Sequence, residues 1–393
     1  MTRIILRKNE ERRLLAGHLW VFSNEIEKIA DAEADVCIAS VFDWRGNFLG
    51  KGLYNRHSLI AYRQLTSKDE DIDGRFIFKR LSTANSLRRK LRPDRSVYRL
   101  CNGEADLLPG LIIDKYDDKY SLQSFSAGMD LLAGEICDVL TGQFKATLVV
   151  EKNMNSMRTL EGAELREGIL HPSSESDRGR FTAEIDGIKF SIDLLKGQKT
   201  GFYLDQSDNR KYLRSLIREG DSVLDLFCND GGFSLNAAAE GAGKIVSVDS
   251  SEACISKVKE NFALNGFVLP ETHCADCFDY IDSLFQAPER FDVIVLDPPS
   301  FTKSRKSIPP AIKAYTELNY KCMRLLKPGG LLLTFSCSHH ISELAFEEMI
   351  SRAGAKAGRT PQLFRKSTCS FDHPVLPQMP ETSYLKGYFM KVI

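Results

Sequence analysis

The sequence lacks several features that would assign it to a specialised class of protein. No apolar run in its 393 residues approaches the length of a membrane-spanning helix, and the opening MTRIILRKNEERR becomes charged too soon for a secretory signal. The ten cysteines follow no regular spacing, so we expect reduced thiols and a cytoplasmic location. Internal repeats and low-complexity tracts are also missing. A composition of 43% hydrophobic and 27% charged residues is typical of a globular chain of two or three domains.

Neither sign of charge is in excess over the whole chain, but the two signs are unevenly distributed. Residues 1–100 carry 20 Lys and Arg against 13 Asp and Glu, so a polyanion would meet this side first. Residues 75–99 hold nine basic side chains, and apolar residues at helical spacing predict an amphipathic helix there. The helix should leave four basic side chains largely open to solvent: Arg80, Arg88, Arg89 and Lys90. A solvated face and a nucleic-acid patch explain this stretch equally well.

Three segments of different character predict three domains. Residues 1–72 have the pattern of short β-strands, with a hairpin turn at Arg45-Gly46-Asn47. Residues 73–190 begin with the basic helix and continue as a small α+β domain. In residues 191–393, apolar strands alternate with helices, which predicts a parallel sheet covered on both faces. Ligands of such sheets bind outside the carboxyl ends of the strands.

Acidic residues follow four successive strands of the third segment. The first strand runs into DLFCNDGGFS, which contains Asp225, Phe227 and Gly231, and the second ends at Asp249. The third ends at Asp276 and the fourth in DPPSF, residues 297–301. There is no G-x-G-x-x-G motif, which argues against a dinucleotide dehydrogenase. One such Asp is as often a helix cap, but four in order predict a nucleotide-type pocket, with Asp249 on ribose hydroxyls and Asp276 near the adenine.

Cys337, in the stretch LLLTFSCSHH, lies where a buried strand meets solvent. A core thiol, a metal ligand and a nucleophile are the three interpretations. Neighbouring His339 and His340 would point to opposite faces of a strand, and the chain has no second C-x-x-C pair, so we predict no metal site. As a nucleophile, Cys337 would add to carbon 6 of a pyrimidine and activate carbon 5, while Asp297 on the adjacent strand would hydrogen-bond the base at N3.

The order of acids and the D-P-P strand end resemble class I S-adenosylmethionine-dependent methyltransferases. KTGFYLDQ, residues 199–206, resembles an additional motif of RNA-modifying methyltransferases that covers the methionine part of the cofactor, which would also bring Asp205 close to it. These resemblances imply S-adenosylmethionine as the cofactor. The cofactor-binding residues that they imply are Phe202, Gln206, Asp225, Phe227, Gly231, Asp249, Asp276, Asp297 and Pro298.

Over most of its length the chain resembles the bacterial ribosomal RNA large-subunit methyltransferase I family. GHLWVFSNEI resembles the opening of an RNA-binding PUA domain, and NGEADLLPGLIIDKY resembles the middle domain of that family. SCSHH and DHPVLPQMPETSYLKG follow in the family's order. The resemblance implies a PUA β-barrel (1–72), a small α+β middle domain (73–190) and a Rossmann-like class I domain (191–393). It also implies 5-methylcytosine formation in large-subunit ribosomal RNA, with Cys337 and Asp297 as catalytic residues.

Several alternatives stay open at the level of sequence. Many RNA cytosine-5 methyltransferases carry a second cysteine on the fourth strand, and this chain has DPPSF there, so the base that removes the carbon-5 proton stays open. His373 and a water held by Asp297 are two candidates, and the alternative is that Asp372 and His373 only shape the pocket. An enzyme that methylates a nitrogen of guanine or adenine would stack the base on Phe301 and would not need Cys337. A non-catalytic ribosome assembly factor would need only the RNA-binding side. No membrane partner is expected, and a homodimer is compatible with the sequence.

Overall fold

The structure, a computed structural model, describes residues 1–32, 34–172, 179–197, 199–286, 289–302 and 305–393. The strands in these ranges are β1 (Thr2–Leu6), β2 (Trp20–Val21), β3 (Ile26–Ala30), β4 (Val36–Phe42), β5 (Phe48–Asn55), β6 (Tyr62–Thr66), β7 (Val97–Asn102), β8 (Leu111–Tyr116), β9 (Lys119–Ser124), β10 (Leu148–Asn153), β11 (Arg166–His171), β12 (Arg180–Ile185), β13 (Ile188–Asp193), β14 (Ser222–Leu226), β15 (Lys244–Asp249), β16 (Glu271–Cys274), β17 (Phe291–Leu296), β18 (Leu326–Ser336), β19 (Pro361–Ser367) and β20 (Lys386–Val392). The helices are α1 (Arg12–Leu15), α2 (Gly74–Leu91), α3 (Ala127–Asp130), α4 (Ala133–Gly142), α5 (Met157–Leu160), α6 (Ser207–Arg214), α7 (Gly232–Ala239), α8 (Glu252–Leu264), α9 (Cys277–Leu284), α10 (Ile308–Leu325) and α11 (Glu343–Ala357).

The chain divides into two compact units. The first contains residues 1–183, 192–204 and 371–382, and the second contains residues 184–191, 205–370 and 383–393. The chain therefore passes from the first unit to the second after residue 204, and it returns to the first unit after residue 370. The domain boundaries expected after residues 72 and 190 stay predictions.

A six-stranded sheet in the order β2-β6-β5-β4-β1-β3 forms the N-terminal part of the first unit. The predicted hairpin joins β4 to β5, and Gly46 adopts a φ of +87° in its turn, which a glycine accepts without a steric penalty. Strand β1 runs parallel to β4, with Ile5 opposite Phe42, so the carboxyl ends of these two strands meet at one edge of the sheet. The inward side chains, among them Ile4, Val41 and Tyr62, are fully buried.

The rest of the first unit is a five-stranded sheet in the order β11-β10-β9-β8-β7, with helices on its apolar face. Asp73 caps α2 by accepting a hydrogen bond from the backbone N–H of Phe76 at 2.9 Å. Side chains from α2 and α4 pack in one core with the sheet, and they include Ile77, Leu81 and Ile136. This is the α+β middle region that the sequence predicts.

The expectation that four basic side chains of α2 face solvent is wrong for two of them. Arg88 is completely buried and forms two hydrogen bonds of 2.6 Å to the carboxylate of Asp106. Position 88 continues the spacing of buried Ile77, Leu81 and Ala84, so the helix turns it inward, and Asp106 compensates its charge. Half-buried Arg80 donates to the Leu65 carbonyl at 2.7 Å. The two remaining side chains, Arg89 and Lys90, are exposed as predicted.

The second unit contains a seven-stranded sheet in the order β16-β15-β14-β17-β18-β20-β19. Strands β14 to β18 are parallel, as the alternation of strands and helices predicts. Strands β19 and β20 are antiparallel additions, which the alternation does not predict. Because β20 runs against β18, its amino end lies beside the carboxyl end of β18, and Lys386 pairs with Ser336. Apolar residues of the strands and of α9, α10 and α11 form one core.

None of the helices that the structure describes is both long enough and apolar enough to cross a membrane. The polar sequence of residues 171–180 predicts a loop, and residues 173–178 of it lie outside the described residues.

Candidate active site

The turn between β14 and α7 forms the first part of the site. Its backbone enters the left-handed region three times, at Phe227 (φ 60°), Asn229 (φ 47°) and Gly231 (φ 78°). Asn tolerates this conformation, whereas Phe rarely adopts it. A Cβ atom added to Gly232 would lie only 2.5 Å from Nε of Arg210, so the turn has no room for a side chain there. Glycine at position 232 therefore lets Arg210 pack closely against this turn.

Asp225 provides a buried carboxylate beside that turn. Its Oδ2 accepts hydrogen bonds from the Ser234 backbone N–H at 3.0 Å and from the Ser234 hydroxyl at 2.6 Å. Its Oδ1 is buried and has no hydrogen-bond partner among the described residues. Burial raises the pKa of Asp225 to about 6, although Ser234 and Arg210 act in the opposite direction. A ligand ammonium group would complete the hydrogen bonding of Oδ1, so this position fits the amino group of S-adenosylmethionine.

Asp249 and Asp276 lie at the ends of the next two strands and have structural partners. Asp249 accepts from the Asn229 backbone N–H and from the Ser251 backbone N–H, both at 3.0 Å, and so supports the turn after β14. Asp276 caps α9, where it accepts from the Phe278 N–H at 2.8 Å. Their contacts to ribose and adenine stay predictions.

Asp297 follows β17 and belongs to a cluster of polar side chains. Gln206 donates from Nε2 to Oδ2 of Asp297 at 3.0 Å and is itself held by Asn209 at 2.7 Å. Burial raises the pKa of Asp297 to about 7, and nearby Asp205 raises it further, while Arg210 and Gln206 lower it. The carboxyl group therefore exists in both protonation states at neutral pH and can donate or accept a hydrogen bond.

Cys337 immediately follows β18, at the edge where the parallel strands end. Leu296 of β17 pairs with Thr334 of β18, so the D-P-P segment and the cysteine leave the sheet side by side. The half-buried Sγ of Cys337 lies 3.9 Å from the carbonyl oxygen of Pro298. The structure thus brings together the residues that the sequence predicts to be catalytic, and Cys337 lies outside the packed core.

Lys386 and Tyr315 lie close enough to Cys337 to interact with it electrostatically. The sequence does not predict either residue as part of the site. Lys386 donates from Nζ to the carbonyls of Ser338 and Tyr384, both at 3.0 Å. Burial lowers the pKa of Lys386, while Cys337 and Cys369 act to raise it. The hydroxyl of Tyr315 lies 3.1 Å from that of Ser338, and burial raises the pKa of Tyr315 to about 12. The late segment that resembles the family contains Lys386, but nothing in the local pattern links it to Cys337.

Of three further candidate residues, two belong to the first compact unit and one lies close to Tyr315. Phe202 is buried in the first compact unit, so its contact with the cofactor stays a prediction. His373 belongs to the same unit, where its Nδ1 lies 2.8 Å from Asp372. Half-buried Phe301 packs against Tyr315, with ring centres 4.8 Å apart, rather than presenting a free face. In the part of the chain that the structure describes, no group of three potential ligand side chains could hold a metal ion.

Comparison with known proteins agrees with this geometry. Residues 4–67 match a family described as PUA-like domain, and residues 177–356 match one described as S-adenosylmethionine-dependent methyltransferase. A curated protein from Tolumonas auensis, ribosomal RNA large subunit methyltransferase I, is 35% identical over 397 residues, with 100% of both chains covered.

Two solved structures share the fold of the whole chain. One is a Streptococcus mutans protein provisionally described as a SAM-dependent methyltransferase, with a TM-score of 0.83, 22% identity and 100% of both chains covered. The other, a provisionally described methyltransferase complexed with SAH, has a TM-score of 0.84, 21% identity and the same coverage.

The fold and these matches define a class I S-adenosylmethionine-dependent methyltransferase with an N-terminal PUA-like domain. The chain belongs to the ribosomal RNA large-subunit methyltransferase I family, since it is 35% identical to a curated member along its entire length.

Proposed function

We propose that this protein methylates carbon 5 of a cytosine in large-subunit ribosomal RNA through a covalent bond to Cys337. The observation that supports this most directly is the Sγ of Cys337 lying 3.9 Å from the carbonyl of Pro298, the neighbour of Asp297. Pyrimidine carbon-5 chemistry needs a thiol and a carboxyl group of intermediate pKa, and here the two come from the ends of adjacent strands.

The residues of the pocket also suit the cofactor. S-adenosylmethionine, when bound, supplies an electrophilic methyl group and is released as S-adenosylhomocysteine. Asp225 would hold its amino group through Oδ1, and the turn that contains Gly231 would lie beside it. Gln206 would keep Asp297 in position beside it.

The first steps convert carbon 5 of cytosine into a nucleophile. The thiolate of Cys337 forms a bond to carbon 6, the carbon 5–carbon 6 double bond breaks, and Asp297 gives a proton to N3. Because the pKa of Asp297 is about 7, this carboxyl group can carry that proton near neutral pH. Carbon 5, made nucleophilic in this way, would take up the methyl group that the cofactor supplies, as the methyl–sulfur bond of the cofactor breaks and leaves its electron pair on sulfur.

The remaining steps release the product. A base takes the hydrogen of carbon 5 as a proton, the double bond re-forms, and the Cys337 thiolate leaves carbon 6 as N3 returns its proton to Asp297. A water held by Asp297 is one candidate for that base. We also propose three domains, an RNA-binding PUA-like domain (1–72), a middle α+β domain (73–190) and the catalytic domain (191–393), and that the protein can form a homodimer.

The test is methyl transfer from labelled S-adenosylmethionine to unmodified large-subunit ribosomal RNA, with the digested nucleosides identified by mass. We expect label in 5-methylcytidine. Label in a methylated purine would replace the proposal with N-methylation, and no label on any RNA would favour a non-catalytic assembly factor. RNA that contains 5-fluorocytidine should trap a covalent complex. After methyl transfer its carbon 5 carries fluorine in place of hydrogen, so there is no proton for the base to remove and the bond to Cys337 cannot be released.

The trapped complex should be missing in Cys337→Ala and unchanged in Cys137→Ala, which removes a half-buried thiol from α4. A complex that still forms in Cys337→Ala would overturn the assignment of the nucleophile.

A further inference from the structure

Trp44 is an exposed aromatic side chain at the tip of the hairpin between β4 and β5. Its exposed fraction is 41%. Asp43 stabilises the turn that carries Trp44. Its carboxylate accepts hydrogen bonds from the backbone N–H of Arg45 at 2.9 Å and from that of Asn47 at 2.8 Å. A third bond of 2.8 Å comes from the side chain of Asn47. The indole is therefore presented to solvent on a rigid support.

Two cations lie against the Trp44 ring, one from the hairpin turn itself and one from the segment after β1. Nζ of Lys8, just after β1, is 5.3 Å from the centre of the Trp44 ring, and Cζ of Arg45 is 4.6 Å from it. Arg3, on β1, stacks in the same way on Phe42 at 4.5 Å. We call these five residues the Trp44 platform. Such cation–π contacts hold the cations close to the rings while their donors stay available.

The cations of the Trp44 platform differ from others in the same sheet region. Arg13 pairs with Glu25 at 3.0 Å and Arg7 lies 3.6 Å from Glu27. Within the described ranges, Arg3, Lys8 and Arg45 form no ion pair with a carboxylate. Arg45 interacts electrostatically with the Asp43 carboxylate but forms no ion pair with it. An exposed indole between cations that form no ion pair is complementary to a ligand that has both a flat ring and negative charge.

We propose that the Trp44 platform binds an unpaired nucleotide of the RNA substrate, with the base stacked on Trp44 and adjacent phosphates on Lys8 and Arg45. Unpaired bases offer a free face to aromatic side chains, whereas bases within a duplex are stacked on one another. Phosphate charge complements the three cations. The proposal names a second contact for the RNA that the proposed function takes as substrate, and it rests on that function.

The experiment measures binding of a short labelled single-stranded RNA, and of the same RNA as a duplex, to the full-length protein by fluorescence anisotropy. Trp44→Ala should weaken binding of the single strand about 5- to 150-fold, the range expected for loss of one stacked base. Trp44→Phe should recover most of it, because it keeps a ring. Lys8→Ala with Arg45→Ala should flatten the dependence of log K on log salt by about 0.7 per cation.

Matched controls come from the opposite end of β5. Arg56→Ala and Leu59→Ala change an exposed cation and an exposed apolar residue there and should leave binding unchanged. Unaltered single-strand affinity in Trp44→Ala would overturn the proposal, as would binding to anionic lipid vesicles but not to RNA. Equal loss on duplex and single strand would also overturn it.

The outcomes separate this proposal from the proposed function. Wild-type protein that forms 5-methylcytidine while Trp44→Ala binds RNA normally would refute only the Trp44 platform. Trp44-dependent RNA binding without 5-methylcytidine would refute only the methylation chemistry. At saturating RNA, Trp44→Ala should reach the wild-type kcat, because the change affects binding and not the reacting groups.

Discussion

Gln206 donates a hydrogen bond from its side chain to Oδ2 of Asp297 at 3.0 Å. The two residues are 91 positions apart in sequence, and Gln206 immediately precedes α6 whereas Asp297 follows β17. The bond fixes the orientation of a carboxyl group whose pKa lies near 7 because of burial. Orientation and an intermediate pKa are both required of a group that passes a proton to a substrate and takes it back.

Asp297 should give the enzyme a descending limb in its pH profile. Above a pKa of about 7, the carboxyl group loses the proton that it donates to N3, so kcat/KM for RNA should fall with rising pH. Asp297→Asn should lower kcat/KM by roughly 10²- to 10⁴-fold and remove this limb. Asp292→Asn, on the same strand but paired with Lys327 at 2.7 Å, is the control and should keep it. A limb that persists unchanged in Asp297→Asn would assign it to another group.

Lys386 should favour the reactive form of Cys337. A nearby ammonium group stabilises a thiolate, so Lys386→Met should move the ascending limb of the activity profile to higher pH and reduce the rate at neutral pH by roughly tenfold, whereas Lys386→Arg should keep the charge and most of the rate. The direct measurement is the pH dependence of alkylation of Cys337 by iodoacetamide, followed at each cysteine by mass spectrometry. Exposed Cys274 serves as the internal reference. Identical alkylation curves at Cys337 with and without the lysine would contradict the prediction.

Asp225 should link cofactor binding to stability. Loss of its carboxylate removes a charged hydrogen bond, so Asp225→Asn should weaken S-adenosylhomocysteine binding by roughly 10- to 100-fold in calorimetry. Because the pKa of Asp225 is raised from 3.8 to about 6, the folded state binds a proton more tightly than the unfolded state. Stability of the ligand-free protein should therefore fall as pH rises from about 4 through 6, and the substitution should flatten this fall.

Tm measured across that pH window tests the second half of the Asp225 prediction. Asp221→Asn is the control, since Asp221 lies just before β14 and accepts a hydrogen bond from the Arg218 backbone N–H instead. If Asp225→Asn bound S-adenosylhomocysteine as tightly as the wild type, the role of Asp225 would be limited to supporting the turn through Ser234.

The sequence predicts those parts of the site that follow from local pattern. Alternating strands and helices predict the parallel sheet. The segments that carry Asp297 and Cys337 leave adjacent strands at the same edge of that sheet. Lys386 could not be found in this way, because it comes from an antiparallel strand added after the alternation ends. Tyr315 was missed for a related reason. Tyr315 lies on α10 among apolar residues that pack in the core, so its position in the sequence resembles theirs. Only the tertiary packing places its hydroxyl beside that of Ser338.

Arg88 shows that a charged residue on an amphipathic helix is not always exposed, since it is fully buried. Its replacement by alanine should lower the free energy of unfolding. Arg88→Ala would leave Asp106 buried without its partner and remove the bond from Nη2 to the carbonyl of Asp372 at 2.9 Å, so we expect a loss of about 3–5 kcal/mol in the free energy of unfolding. Arg89→Ala, one position along the same helix, removes an exposed cation and should change it by no more than about 0.5 kcal/mol. Urea denaturation of the two variants measures the difference. A similar stability for both would mean that water or a rearranged side chain compensates Asp106, and the basic face of α2 would then be more adaptable than its packing indicates.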